Sequence, residues 1–224
     1  MQLDERSYGG QLFRPRPEVH LSDDKRLLIV ATPWGPAQVA KDFIELVSNQ
    51  MREGDNDPEQ TVAFLKIDSL DVTENRLRMA IMSAHEDLRD KYNDETVTAG
   101  LEVLCLLRTE KKVTWFQLGA PFTSILRGHK IIPVHHPLDL SFDYSRERVL
   151  PPLPKELICL QNHVHLEMGS FRLDHQDKIL MISRSYVPYN LFQYDPQDMT
   201  VDNVTKVLSE DNQDHPFWVG ILSF

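Results

Sequence analysis

An α+β fold dominated by antiparallel strands is predicted by three features of this sequence. Ala40, Phe43, Ile44 and Val47, and then Leu77, Ala80, Ile81, Ala84 and Leu88, recur at the spacing that puts apolar side chains on one face of a helix. From Thr96 onward the pattern changes to short β-rich runs joined by short polar links, which favours an antiparallel meander. Leu157–Pro188 then reads as two strands joined by a polar turn, Asp174-His175-Gln176-Asp177, the second strand being the wholly apolar run Ile179–Ile182. A run that short and that apolar is a strand buried on both faces. It delivers Ser183, Arg184 and Ser185 to a rigid strand end, where functional side chains are commonly held.

Residues 1–26 are polar and interrupted by Gly9-Gly10, Pro15 and Pro17, so an irregular arm or one short strand is expected there. Leu27–Ala31 is the first strong strand. It leads through a turn, Thr32-Pro33-Trp34-Gly35-Pro36, into the first helix, where Pro36 suits a helix start because its missing N–H needs no intrahelical partner. Residues 54–58 read as a surface loop and 63–67 as a short strand or an ordered connection. The second helix is expected over Thr73–Lys91 with Thr73 as its N-cap, and the two helices would lie side by side on one face of a sheet. Strands are expected at Val97–Leu107, Val113–Leu118, Thr123–Leu126 and Ile131–Val134, followed by a Pro-rich surface loop over 135–156. A third helix at Met199–Leu208, capped by Asp198 or Thr200, precedes a final buried strand, Phe217–Phe224.

The 224 residues suffice for one substantial core and no linker divides them, so a single domain over 1–224 is expected. Asp and Glu outnumber Lys and Arg by 34 to 24, a formal net charge of −10, which disfavours nucleic acid or an anionic membrane as the main partner. The first residues hold no apolar signal segment and no apolar run reaches membrane-spanning length, so a cytoplasmic location is expected. Cys105 and Cys159 sit among apolar residues and are expected to be buried free thiols.

Several of these stretches resemble one family. Asp177, the strand Ile179–Ile182 and Ser183 resemble the GD-x-LLLCSDGL stretch of the metal-dependent protein phosphatases of type 2C, the PPM family. Val30, Ala31 and Gly35 resemble its VADGHGG turn, which also precedes a helix. Thr98-Ala99, Gln117-Leu118-Gly119 and Ile125-Leu126-Arg127-Gly128 are similar to its TALVALI and ANVGDSRAVLLRDG strands, and Asp211-Asn212 to its late DN-x-T-V-V-V. The resemblance implies a four-layer α-β-β-α sandwich, two mainly antiparallel sheets flanked by helices.

The departures fall on the chemistry. Where the family has the Asp that holds both metals, this chain has Thr32; Pro33 replaces the adjoining Gly, Trp34 stands at a variable position and Pro36 replaces the last Gly. Arg184 stands at another metal-ligand position, Ser185 replaces a Gly, and Ala120-Pro121 replaces an Asp-Ser. Asp211, followed by Asn212, is the retained ligand position; Asp4, Asp23 and Asp24 are candidates for an early Asp. Two-metal phosphoryl chemistry needs several converging carboxylates, and hard cations take charged oxygen ligands. The resemblance therefore implies a pseudophosphatase without catalytic residues or a metal cofactor, acting in signalling through a protein partner such as a kinase or a phosphoprotein. The alternative is an active serine/threonine phosphatase or related hydrolase whose rebuilt site holds Mn or Mg, using Asp211 with Asp23, Asp24, Asp139 or histidines.

Arg184 either pairs with Asp211 or points into solvent, where an ion pair contributes little; a third role is to bind a phosphate-containing ligand. His163 and His165 share a strand face, and His135-His136 lie near Asp139, so a relocated zinc or manganese site stands against ordinary surface histidines. Trp34 is either a core aromatic beside a turn or an exposed anchor for a partner, on a patch extended by Tyr186, Tyr189, Phe192 and Tyr194. Neither Ser183 nor Ser185 lies in a nucleophile elbow.

Overall fold

The computed structural model describes residues 1–10, 12–53, 66–110, 112–141, 152–174 and 176–224; the expectations for 54–65 and 142–151 lie outside them. The described residues form strands β1 (Gln2–Tyr8), β2 (Glu18–Leu21), β3 (Leu27–Trp34), β4 (Gly100–Arg108), β5 (Lys112–Leu118), β6 (Phe122–Arg127), β7 (Lys130–His135), β8 (Glu167–Arg172), β9 (Lys178–Ser183) and β10 (Phe217–Ser223). The helices are α1 (Gln38–Glu53), α2 (Val72–Asn93) and α3 (Val201–Asp211). The strands make two five-stranded antiparallel sheets, β2-β3-β4-β5-β8 and β1-β10-β9-β6-β7, so the fold is α+β as expected. The chain falls into two compact units, Pro17–Leu118 with Glu156–Ser170, and Met1–Arg16 with Gly119–Lys155 and Phe171–Phe224.

In the first unit β3 and β4 supply an apolar pair, in register from Leu27↔Leu107 to Trp34↔Gly100. Every residue of β3 except Trp34 is buried. Phe43 and Val47 of α1 pack with Leu77, Ile81 and Leu88 of α2 against Ile29, Ala31, Val103 and Cys105, so both helices lie on this sheet. The start of α2 differs from expectation. Its N-cap is Asp71, not Thr73: Asp71 accepts from the Glu74 N–H while Glu74 accepts from the Asp71 N–H, a reciprocal capping box. Glu74 is 1% exposed, and Lys112 and Thr114 of β5 both donate to its carboxylate, pinning the helix start to that strand.

In the second unit β10 lies between β1 and β9, and Trp218 donates from Nε1 to Glu5 across 2.6 Å. Leu180, Ile182, Val219 and Ile221 pack against Val204, Val207 and Leu208 of α3, whose N-cap is Thr200, one of the two expected residues. Arg127 on β6 forks onto the buried Asp177 carboxylate, with Nε to Oδ1 at 3.0 Å and Nη2 to Oδ2 at 2.6 Å.

Four expectations of topology change. Residues 1–26 contribute two strands rather than an irregular arm or one short strand: β1 at the edge of one sheet and β2 in the other. Thr32-Pro33-Trp34 is strand rather than turn. The meander does not run through one sheet: β4 and β5 pair in one, β6 and β7 in the other, and the change falls at Gly119-Ala120-Pro121. Finally, β8 and β9 are not a hairpin; β9 is flanked by β6 and β10, so neither of its edges is left for β8. Cys105 and Cys159 are buried free thiols, as expected.

Asp42 of α1 gathers Lys91 and Tyr92 of α2, at 2.6 and 2.7 Å, and Gln38 at 2.8 Å. Burial alone would raise its pKa, but these donors outweigh that and hold it down to about 2. Because the folded value lies below the unfolded one, the contribution is present above about pH 4 and lost as pH falls toward about 2. Asp42→Asn is therefore expected to lower stability by about 1–2 kcal/mol at neutral pH, allowing for the exposure of Lys91. In denaturant titrations the gap to wild type should close through that acid window; a gap independent of pH would contradict this account.

Candidate functional site

Each unit carries a candidate site of its own. In the first unit it is the end of β3. β2 pairs with β3 only from Leu28 to Ala31, so beyond that point β3 has one partner, β4, and Pro33, which lacks a donor, is tolerated at a free edge. Thr32 is fully buried, and its hydroxyl has no hydrogen-bond partner. Directly opposite it on β4 stands Glu102, 4% exposed, whose carboxylate accepts from Trp34 Nε1 at 3.0 Å. Trp34 is thus half-buried and held by an acid, intermediate between the core and exposed roles expected for it. Gly35 follows with φ +128°, and a Cβ there would come within 2.4 Å of the Thr98 carbonyl oxygen, so no other residue fits without strain.

Sequence reasoning missed Glu102. Its signal was present: it is the one acid in the otherwise apolar run Gly100–Leu107, and an acid inside a buried strand needs a partner.

In the second unit the site is the end of β9 and the C-terminus of α3. The Arg184 side chain is fully buried and pairs with Asp211, Nη2 to Oδ2 at 3.0 Å, with Nη2 also 3.4 Å from the Asn212 carbonyl oxygen. Of the two geometric alternatives, the guanidinium is therefore paired and not in solvent. The location suits a cation twice over: Asp211 ends α3 and Asn212 is its C-cap, so the carboxylate and the negative end of the helix dipole act together. Tyr186 donates its hydroxyl proton to the same Asp211 oxygen at 2.5 Å and lays its ring 4.5 Å from the guanidinium carbon; Phe217 stands at 5.9 Å. Burial pulls Arg184 below the ordinary guanidinium range, against the opposing pull of Tyr186 and Asp211. Burial and the bond to Asp211 push Tyr186 up to about 12. His215 packs edge-on to Tyr186 at 5.2 Å and is lowered by burial and then by Arg184. Ser185 is half-buried and Ala120 is buried.

Several of the other candidates have structural occupations. His135 Nε2 lies 3.1 Å from the Gly119 carbonyl oxygen, and His136 packs edge-on to Phe122. His163 and His165 are exposed, and His165 lies 3.4 Å from Glu156. Asp139 caps its own loop by accepting from the Ser141 and Leu153 N–H groups. Asp24 accepts from Ser22 and the Arg26 N–H within the β2–β3 turn, and Asp4 is exposed on β1. Ser183 is buried, with no partner for its hydroxyl. Tyr189, Phe192 and Tyr194 are exposed.

The pair of divalent cations implied by the resemblance does not fit this donor set. Among the described residues no three or more His, Cys, Asp or Glu side chains are grouped to hold a metal ion, and the retained Asp211 is committed to a guanidinium and a phenol. Removing Asp211 would leave a buried cation without its acid. Asp211→Ala is expected to lower stability by roughly 3 kcal/mol, and Arg184→Met in the same chain to recover part of that loss, because an apolar side chain needs no counter-charge. Urea denaturation of the two variants checks this; an unchanged midpoint for Asp211→Ala would refute it.

No family model matches the sequence, and no curated protein matches it. Solved structures do. The serine/threonine phosphatase PstP/Ppp of Mycobacterium tuberculosis superposes with a TM-score of 0.68 at 13% identity, over 100% of this chain and 98% of that one. PppA, a key regulatory component of T6SS in Pseudomonas aeruginosa, gives 0.67 at 13% identity over 100% and 97%. The PPM Ser-Thr phosphatase MsPP of Mycobacterium smegmatis gives 0.66 at 11% identity over 99% and 97%. Likeness at such low identity is one of fold, and it extends over the whole of both chains: this protein has the fold of the PPM serine/threonine phosphatases.

Proposed function

We propose that this chain is a pseudophosphatase, a PPM-fold domain without phosphatase activity that works by binding another protein in a signalling or regulatory system. The observation that carries this reading is the buried Arg184–Asp211 ion pair, in which the one retained ligand position already holds a cation supplied by the chain itself. Thr32 supports it, since a neutral hydroxyl does not replace a bridging carboxylate. The proposed partner is a kinase or a phosphoprotein, and the proposed location is the cytoplasm; among the described residues no helix is long and apolar enough to cross a membrane. A binding role is supported by the aromatic cluster after β9, where Tyr189 is 78% exposed and Phe192 and Tyr194 lie close by in sequence, also exposed. The role of PppA as a key regulatory component of T6SS favours the same class of function.

Calorimetric titration of chelator-treated protein with manganese, paired with turnover of p-nitrophenyl phosphate, tests the reading. No saturable heat up to about millimolar manganese and no turnover above the buffer rate are expected. Tight binding abolished by Asp211→Asn, or turnover dependent on Asp211, would instead establish an active hydrolase with a rebuilt Mn or Mg site.

A further inference from the structure

Arg184 uses only part of its capacity. A guanidinium presents five N–H donors in a planar fork, one on Nε and two on each terminal nitrogen. Among the described residues, the hydrogen bonds of Arg184 run through Nη2, to Asp211, Tyr186 and Asn212, whereas Nε and Nη1 are buried and have no hydrogen-bond partner. Arg127 shows the ordinary structural arrangement in the same unit: its fork meets both oxygens of Asp177, and Nη2 reaches the Arg172 carbonyl oxygen as well. Asp211 takes Arg184 by one oxygen only, and that oxygen is shared with Tyr186. Buried charged donors are nearly always satisfied in native proteins, so three N–H groups left over on one buried cation call for an acceptor.

A second observation lies beside the first. His215, 6% exposed, has its Nε2 buried and without a partner, and its ring packs on Tyr186, which itself covers the guanidinium. The acceptor that answers several N–H donors of an arginine, with a histidine nitrogen nearby, is a compact anion with several oxygens. A second carboxylate would offer two oxygens where a phosphoryl group offers three.

We propose that Arg184, with His215 beside it and Tyr186 as its cover, binds a phosphoryl group without any metal. Its source is either free phosphate or a phosphorylated side chain on a partner. The idea rests on the pseudophosphatase reading and gives it a ligand: the chain would recognise the group that active members of the fold remove. Tyr186 occupies the irregular stretch between β9 and the short 3-10 turn Tyr189–Gln193, so the cover belongs to no helix or strand. With the side chain fully buried, phosphoryl binding at Arg184 requires the ring of Tyr186 to move aside.

The test is a titration of the full chain, labelled with 15N-arginine and kept in EDTA, followed through the Arg184 Nε–H resonance, which is identified by its disappearance in Arg184→Lys. Inorganic phosphate is expected to move that resonance saturably and acetate to leave it in place. Arg184→Lys, which keeps the charge and loses the fork, should weaken phosphate binding at least roughly tenfold. Tyr186→Ala, which removes the cover and keeps the donors, should bind phosphate at least as tightly as wild type. A phosphoserine peptide binding more tightly than phosphate, with its unphosphorylated form inert, would identify a phosphoprotein as the source; equal affinity would identify free phosphate. The proposal fails if neither probe moves the wild-type resonance, if acetate moves it as far as phosphate does, or if Arg184→Lys binds phosphate unchanged. The wild-type spectrum decides even where a variant does not fold. Phosphate binding that requires manganese would sink this proposal and the pseudophosphatase reading together, whereas a chain that binds neither manganese nor phosphate sinks this proposal alone.

Discussion

Desolvation of β9 is the constraint on which the second unit depends. From Ile179 to Ser183 no residue of that strand touches water to any extent, so the strand must be covered along both edges and on both faces. β6 and β10 take the edges, and α3 covers one face through Val204, Val207 and Leu208. The chain leaves this strand at Arg184 still inside the protein, and a guanidinium delivered there must find an acid. α3 brings one, because its last turn ends in Asp211 beside the sheet it packs on. The burial of the four apolar residues Ile179–Ile182 thus fixes the place of a charge two residues further along.

The first unit solves a similar problem with a different acid. β3 is as thoroughly buried as β9, and its end carries a threonine and a tryptophan instead of a charge. The acid comes from the neighbouring strand, where Glu102 meets the indole N–H. Trp34 is thereby tied to the neighbouring strand by a hydrogen bond at its polar end. Glu74 and Asp42 repeat the theme: both are carboxylates with little exposure, surrounded by donors from a second element, and each ties a helix to its neighbour.

Much of this was legible in the sequence because it was written in periodicity. The helical stripes of Phe43 and Val47 and of Leu77, Ile81 and Leu88, the apolar runs of β3, β9 and β10, and the two free thiols each follow from local composition. Pairing partners did not. Nothing near β8 announces that it joins β5 while β9 joins β6 and β10, since a polar turn between two strands looks the same whether or not the strands pair with each other. The pair of strands within residues 1–26 is hidden for a related reason: Gln2–Tyr8 is mostly polar because it is an exposed edge, held by backbone pairing to β10 that leaves no apolar alternation to read. At the site, Thr32 and Arg184 were visible as departures from a familiar pattern and Asp211 as a position that keeps it, whereas the hydrogen bonds of Glu102 to Trp34 and of Tyr186 to Asp211 were not, because each joins residues on different elements.

Arg184 also changes what kind of quantity governs the site. An ion held by carboxylates exchanges with its surroundings, and its occupancy follows the supply of metal and the presence of chelators. A cation carried on a side chain has no dissociation constant and no competitor: it is present at full occupancy from the moment the chain folds, and it is renewed only by making new protein. The cation at the end of β9 is therefore set by how much of the chain is present and not by the supply of metal around it.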